Sequence, residues 1–326
     1  MRKLLIQIRN SLLILVSKSS ILVGGQAVIE GVMMRVPGYY ATAVRNPKGE
    51  IECKRETYIP LTEKYNYLNI PVVRGAIHLF ESLKIGTQTL QWSAEIAMPE
   101  EEKTNKYLDF LMNLLAIVFA ISIFFGIPYI ITNYYSDFYK SEFIFNLFAG
   151  LIRILFFIIY LLLISRLSDV QNLFKYHGAE HKTVYTFESG KNLEVKETYS
   201  FPTQHPRCGT SFMFIVMMVA ILTYATIDSI YVKNFGDLNI FSRIILHLLF
   251  IPIVSGLGYE FLKISARNSD KIFFKYLTKP GIWLQYITTK KPTDNQVEVA
   301  IYALKKAFGD NLNDYIGKEY KAEAIS

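Results

Sequence analysis

Residues 143–164 read FIFNLFAGLIRILFFIIYLLLI, an apolar run long enough to cross a bilayer as one helix. Three more runs of about this length occupy residues 110–133, 211–232 and 240–262. All four are apolar around the whole circumference of a helix, which is rare in soluble proteins. The sequence therefore predicts a mainly α-helical membrane protein with four transmembrane helices.

The overall composition agrees with a membrane protein. Of the 326 residues, 51% are hydrophobic, and the mean hydropathy is +0.23. The net charge is +7. Anionic lipid at a membrane surface accounts for such a charge, so the composition gives no separate indication of nucleic-acid binding. The sequence indicates the lipid bilayer as a partner, and it does not identify a protein partner.

Basic residues alternate along the chain in a way that predicts orientation. Residues 1–107 carry 14 Lys and Arg, the segment 165–210 carries six, and residues from 263 onward carry eleven. The loops 134–142 and 233–239 carry one each. The positive-inside rule then predicts a multi-pass protein of the cell membrane with both termini in the cytoplasm.

The N-terminal third divides into three predicted segments. In residues 1–20 the apolar stretch is too short for a secretory signal, so we expect an interfacial amphipathic segment. Residues 21–70 are expected to form a β-rich cytoplasmic module. Its clearest feature is a hairpin of Ala41–Arg45 with Ile51–Tyr58, because an Asn-Pro-Lys-Gly turn separates them. Residues 71–107 are expected to hold an amphipathic helix and a charged linker.

The rest of the chain is assigned to the membrane domain and a tail. Residues 108–289 are predicted to form the four-span domain, which includes the cytoplasmic motif segment 165–210. Residues 290–326 contain a further cytoplasmic helix, because Pro, Thr and Asp precede a helical apolar pattern.

Residues 176–183 read YHGAEHKT, in which His177, Glu180 and His181 have the spacing H-x-x-E-H. The second apolar run continues past Ser165 in a pattern that predicts one helix to about Phe187. On a helix, residues four apart share a face, so the two histidines can bind one metal ion. Glu180 lies beside them, as does the general base of the inverzincin metallopeptidases.

Two metal sites are compatible with the sequence, because the second, third and fourth runs have cytoplasmic ends that converge. His177, His181 and Glu260 would form an open zinc site in which Glu180 activates water. The same histidines with His205 and Cys208 would instead form a closed structural site. Arg207 is a candidate for stabilising an oxyanion. The alternative without metal is a polar patch at the membrane surface.

Four motifs resemble the bacterial YqhQ-like membrane family: GGQAVIEGVMMR, YHGAEHKTVYTFESG, HPRCGTSF and TTKKPTDNQVEVAIYAL. They span Gly24 to Leu304, and a longer basic and apolar extension precedes them. Members of this family are described as predicted metal-dependent enzymes. The resemblance therefore implies metal-linked roles for the matching residues, which are His177, Glu180, His181, His205 and Cys208.

The leading functional hypothesis is a metal-dependent hydrolase, with peptides as one substrate class. The alternative is a non-catalytic membrane scaffold or regulator whose polar cluster or metal is structural. A third reading is a carrier that uses Arg153 and His247, but the four runs show no paired, broken-helix repeats. Arg243, near the outer end of its run, is expected to extend to the membrane surface.

Overall fold

A computed structural model describes residues 19–20, 23–98, 106–135, 141–268 and 271–321. The predicted interfacial segment 1–20 lies almost entirely outside the described residues. The strands are β1 (Ser19–Ser20), β2 (Gly24–Val28), β3 (Gly31–Val36), β4 (Tyr39–Arg45), β5 (Ile51–Thr57) and β6 (Tyr320–Lys321). The α-helices are α1 (Leu61–Lys64), α2 (Val73–Ala97), α3 (Lys106–Ile121), α4 (Ile127–Tyr134), α5 (Glu142–Ile164), α6 (Ser168–Glu188), α7 (Gly209–Phe235), α8 (Ile240–Arg267), α9 (Ile272–Thr288), α10 (Asp294–Phe308) and α11 (Leu312–Tyr315).

Four helical segments are long and apolar enough to cross a membrane. The first is Phe110–Tyr134, in which a π turn at Ser122–Gly126 joins α3 to α4. The others are α5, α7 and the part of α8 up to Ser265. Most side chains in each of them stay outside the protein core, as lipid-facing side chains would. The prediction of four helices of spanning length and composition is confirmed.

The second span and the motif helix are two separate helices, and the prediction of one continuous helix was wrong. Helix α5 ends at Ile164, and α6 begins at Ser168. Between them the N–H groups of Arg166 and Leu167 donate to carbonyls three residues back, and Leu167 is extended with φ −72° and ψ 136°. The turn redirects the chain because α6 has to pack against the sheet rather than against lipid.

The N-terminal sheet is antiparallel, with strand order β2-β3-β4-β5. The predicted hairpin is confirmed, since Ala41 pairs with Arg55 and Arg45 with Ile51. The side chain of Asn46 holds the turn, because its Oδ1 accepts hydrogen bonds from two backbone N–H groups at 3.0 Å. Gly49 adopts φ +86°, a left-handed conformation that glycine tolerates without strain.

Three segments that the sequence analysis treated separately pack around one core. One face of the sheet packs against α6 and α10, and α2 covers part of the other face. Apolar side chains from all three segments fill the space between them, among them Val32, Met34, Tyr176, Phe187, Val299 and Leu304. The motif helix is therefore held on a rigid, sheet-backed unit beside the ends of the spans.

Arg243 is buried between helices and has acidic partners, which the expectation that it extends to the membrane surface did not include. It is buried, and its guanidinium donates to Asp228 on α7 at 2.7 Å and to Glu142 on α5 at 3.0 Å. Pairing with a carboxylate offsets the cost of burying the guanidinium. The guanidinium of Arg153, the other arginine within the spans, lies over the ring of Phe125, 5.3 Å from its centre.

Candidate metal centre at the end of the third span

Helix α6 presents its two histidines on one face, as the spacing predicts. The ring centres of His177 and His181 are 4.4 Å apart. His181 and Glu180 are buried, whereas His177 is half-buried. The helix ends just before Gly190, which takes φ +69° and lets the chain turn away.

Backbone carbonyls fix the orientation of both imidazole rings. His177 Nδ1 lies 2.9 Å from the carbonyl oxygen of Thr288, the last residue of α9. His181 Nδ1 lies 2.5 Å from the carbonyl oxygen of Thr203. Because a carbonyl only accepts, each Nδ1 must donate its hydrogen, and in a neutral ring Nε2 is then unprotonated. Histidines that bind metal are usually oriented by such a bond from the other ring nitrogen.

Cys208 brings a sulfur to the same point. Its Sγ lies 3.2 Å from His177 Nε2, and candidate ligand atoms of His177, His181 and Cys208 all lie within 4.8 Å of one another. Cys208 is the N-cap of α7, and its sulfur accepts a hydrogen bond from the N–H of Thr210. The N-terminus of a helix favours negative charge, which suits a thiolate ligand.

Glu180 adds a carboxylate to this group. Its Oε2 lies 3.4 Å from His181 Nε2. Burial raises the pKa of this carboxyl, although nearby basic side chains and the N–H of Gly25 oppose the change. Burial also lowers the pKa of His181, which favours the neutral ring.

Four electron-pair donors therefore face one another. They are two imidazole nitrogens, one sulfur and one carboxylate oxygen. Such a group repels itself unless a proton or a cation lies between its members. A divalent ion bound by the three nitrogen and sulfur atoms is one stable solution, and it places the carboxylate next to the ion.

His205 lies next to these residues but is held by other contacts. Gln285 on α9 fixes its backbone, since the N–H of His205 donates to Oε1 at 2.7 Å and Nε2 of Gln285 donates to its carbonyl at 2.9 Å. In the ring, Nδ1 accepts from the N–H of Arg207, and Nε2 lies 3.4 Å from a carboxylate oxygen of Glu188. Burial lowers the pKa of His205 to about 4, so the ring is neutral at pH 7. Both of its ring nitrogens are thus occupied.

The other two predicted site residues form ion pairs. The guanidinium of Arg207 pairs with Glu188, so its charge is balanced within the loop that carries Cys208. Glu260 receives two hydrogen bonds from the guanidinium of Arg74 at 2.5 and 2.6 Å. The structure thus gathers His177, His181 and Cys208, places Glu180 beside them, and leaves Glu260 outside the group.

Sequence reasoning missed several residues that build the site. The carbonyls of Thr203 and Thr288 belong to the backbone and leave no side-chain signal. Gln285 did leave one, since it is a lone amide in the apolar stretch GIWLQYI. Gly25 and Gly178 lie in the quoted motifs, but the reason that these positions need glycine is steric. It is visible only in the packing, where a Cβ would meet a backbone carbonyl oxygen.

Gly25 and Gly24 provide a matched pair that tests how closely the sheet approaches Glu180. A Cβ on Gly25 would lie 2.1 Å from the carbonyl oxygen of Met33 and 3.2 Å from Cγ of Glu180, whereas a Cβ on Gly24 would meet nothing within 4 Å. We expect Gly25→Ala to lower the free energy of unfolding by about 1–2 kcal/mol through overpacking, and Gly24→Ala to leave it nearly unchanged. Thermal unfolding of both variants in detergent measures the difference. Equal melting temperatures would contradict the close approach.

Comparison with known proteins places the chain in a family. A family model described as a protein of unknown function (DUF1385) matches residues 70–310. The chain belongs to this DUF1385 family. The uncharacterized protein YqhQ of Bacillus subtilis (strain 168) is 30% identical over 297 residues, which cover 85% of this chain and 89% of that protein. The resemblance to the YqhQ-like family is confirmed, and no solved structure matches the chain. Neither the family description nor the description of the Bacillus subtilis protein names a reaction.

Proposed function

We propose that the chain is a membrane-bound zinc-dependent hydrolase that acts at the cytoplasmic face of the cell membrane. In this proposal His177, His181 and Cys208 would hold the ion, and Glu180 would accept a proton from the attacking water. One observation carries the proposal. Backbone carbonyls orient both imidazoles so that their Nε2 atoms converge on the sulfur of Cys208. Imidazole nitrogen and thiolate sulfur are the usual protein ligands of zinc.

The number of ligands favours a catalytic centre over a closed one. Catalytic zinc sites use three protein ligands and keep a fourth position for water, whereas structural sites use four. His205 is engaged with Arg207 and Glu188, so three ligands remain. Zinc lowers the pKa of its bound water to about 7. Burial makes Glu180 a better proton acceptor, and the partial exposure of His177 gives water a route to the centre.

The position of the centre in the chain supports action at a membrane surface. Cys208 directly precedes the third span, so the centre lies at the end of a membrane helix. The segment 165–210 is basic, which supports the cytoplasmic side. A divalent ion held there would supply Lewis-acid activation of water for attack on acyl carbons, so peptides are the first substrate class to test. In this proposal Arg207 contributes positive charge near the centre, and its ion pair with Glu188 partly neutralises that charge.

Metal content tests the proposal directly. Purified wild-type protein is expected to hold about one zinc ion per chain, and His181→Ala and Cys208→Ser are expected to lose it, because two ligands cannot hold zinc tightly. Glu180→Gln is expected to keep the ion, since its carboxylate serves as the base. Elemental analysis by mass spectrometry measures the bound metal.

Matched controls separate loss of a ligand from general damage. His78→Ala and Cys53→Ser remove the same residue types away from the centre, and Glu260→Gln removes the carboxylate that pairs with Arg74. All three are expected to keep the metal. Wild-type protein without bound zinc, iron or manganese after purification free of chelators would overturn the metal proposal.

A second function is favoured by one contact, that between Cys208 and His177. The 3.2 Å distance, the carbonyl that orients the other ring nitrogen and the helix N-terminus at the sulfur also suit a nucleophilic thiol. His177 would then accept the thiol proton, and the thiolate would attack an acyl carbon and displace an amine or alcohol, which takes up that proton; water would afterwards hydrolyse the thioester and restore the thiol. Two results together would favour this function. Cys208 of metal-free wild type would react rapidly with iodoacetamide, and Cys208 of His177→Ala would react slowly.

Cleavage assays separate hydrolysis from the non-catalytic alternative. With the protein in lipid nanodiscs and a peptide library as probe, Glu180→Gln is expected to lose at least about 100-fold in rate, the usual contribution of a general base. The scaffold alternative expects no cleavage by wild type, together with a lower melting temperature after removal of zinc by a chelator.

A further inference from the structure

A second cluster of ionisable side chains lies inside the membrane domain, and the proposed hydrolase does not use it. Asp228 on α7, Arg243 and His247 on α8, and Glu142 on α5 form it. Asp228 is 20 residues beyond Cys208 on the same helix, which places the two sites roughly 30 Å apart. Ionisable residues within membrane spans are costly and usually serve a function.

Every charged group in the cluster has a partner of opposite charge from another helix. Arg243 donates to Asp228 Oδ2 at 2.7 Å, to Glu142 Oε2 at 3.0 Å and to the amide oxygen of Asn146 at 3.2 Å. Arg243 thereby ties α8 to both α5 and α7. The side chain of Asp228 is 0% exposed, whereas that of Glu142 is 32% exposed. The cluster therefore extends from a fully buried carboxylate to the surface near the start of α5.

His247 lies against the buried end of this cluster. Its Nε2 is 3.0 and 3.2 Å from the two carboxylate oxygens of Asp228. Since an ionised carboxylate only accepts, Nε2 donates its hydrogen there, and a second proton can bind only at Nδ1. The ring of Tyr224 stacks on the imidazole, with centres 4.0 Å apart and planes 15° apart. A carboxylate and an aromatic face both stabilise an imidazolium.

We propose that Asp228 and His247 form a proton-binding site in the membrane domain, in which His247 gains and loses the proton. Imidazole is the side chain in this cluster whose charge ordinarily changes between about pH 5 and 8. Glu142, the first residue of α5, is partly exposed at the end of this helix that is predicted to be external, and protons enter from there. The site is independent of the proposed zinc centre.

The charged side chains around His247 determine the net charge that the site has with and without the proton. Among the described residues, Asp228 and Tyr224 on α7 contact the ring of His247. Arg243 on the same helix as His247 and Glu142 on α5 are linked to it through Asp228, and Arg153 on α5 interacts electrostatically with Asp228 and Tyr224. Two carboxylates and two guanidiniums sum to zero. With Arg153 counted beside the cluster, this group of side chains is neutral when His247 is neutral and carries one positive charge when His247 holds the proton.

Nuclear magnetic resonance of ¹⁵N-labelled histidine tests this site in full-length protein in detergent micelles. The chain has five histidines, and His247→Gln assigns the signal. We expect that signal to change from the neutral to the charged form when the sample is acidified, because His247 is the group that gains the proton in this proposal. Asp228→Asn is expected to lower the midpoint by about one pH unit or more, because it removes the anion that stabilises imidazolium.

A second variant and an internal reference keep the test decisive if Asp228→Asn fails to fold. Glu142→Gln, at the partly exposed end, is expected to lower the midpoint by a smaller amount. The signal of His78 on α2 is expected to move in neither variant, since its neighbours are Thr62, Glu81 and Tyr259. A His247 signal that stays in one form from pH 5 to 9, or a midpoint that neither variant moves, would mean that the cluster is a fixed ion pair and would overturn the proposal.

Discussion

Gly178→Ala is expected to lower the free energy of unfolding by about 2 kcal/mol or more and to weaken metal binding at least about 10-fold. A Cβ on Gly178 would lie 2.1 Å from the carbonyl oxygen of Lys290. That carbonyl cannot move freely, because the N–H of Lys290 donates to Phe174 on α6 at 2.9 Å. The helix must therefore move away from Thr288, whose carbonyl orients His177. The better helix propensity of alanine, about 1 kcal/mol, offsets only part of the cost.

Gly209→Ala is the matched control for this substitution. Gly209 also lies in a quoted motif, directly after Cys208, but a Cβ there would meet nothing within 4 Å. We expect it to keep both the melting temperature and the metal content of wild type. Thermal unfolding and elemental analysis of the two variants measure both quantities. If Gly178→Ala matches Gly209→Ala in both, the close packing of α6 against Lys290 does not orient the candidate ligand.

Features with a strong local signal could be predicted from the sequence. The four spans follow from runs of about 20 apolar residues, because a bilayer requires that length. The hairpin follows from the turn residues Asn46 to Gly49, because their conformations suit a reversal of the chain. The shared face of His177 and His181 follows from helix geometry.

The break between α5 and α6 had no comparably strong signal. Apolar and polar residues around Ser165 are all compatible with a continuing helix. The turn is determined by the packing of α6 against the sheet and α10, which are distant in sequence. Tertiary packing of this kind overrides local preference, and a periodicity argument cannot detect it.

Convergence of the helix ends was not enough to predict which side chains gather in the candidate site. Glu260 lies at the same end of the helices as Cys208, but Arg74 on α2 binds its carboxylate. His205 is closer, yet Glu188 and the backbone of Arg207 occupy its ring nitrogens. Topology predicts a face of the protein, whereas a ligand set depends on contacts within a few ångströms, and those depend on partners that the motif did not include.

The buried ion pair in the membrane domain is expected to give the largest stability effects in the molecule. Asp228→Leu is expected to lower the free energy of unfolding by about 3–5 kcal/mol, because it leaves the charge of Arg243 buried beside only a partly exposed carboxylate. Arg243→Met is expected to cost a similar amount, since Asp228 then keeps only His247 as a partner. Thermal unfolding of the purified variants in detergent measures these losses.

The double variant distinguishes a true ion pair from two independent packing contributions. With Asp228→Leu and Arg243→Met together, neither fully buried partner is left charged, and Glu142, which loses Arg243, is partly exposed to solvent. The loss is therefore expected to fall well below the sum of the single losses. The surface pair of Arg45 and Glu298 is the control, and breaking it should cost less than about 1 kcal/mol, because the Glu298 side chain is 57% exposed. Additive losses in the double variant would show that the two residues act separately. Strong coupling would mean that the three spans are joined through this buried charge pair, and that the carboxylate of Asp228, which also contacts His247, holds Arg243 in place.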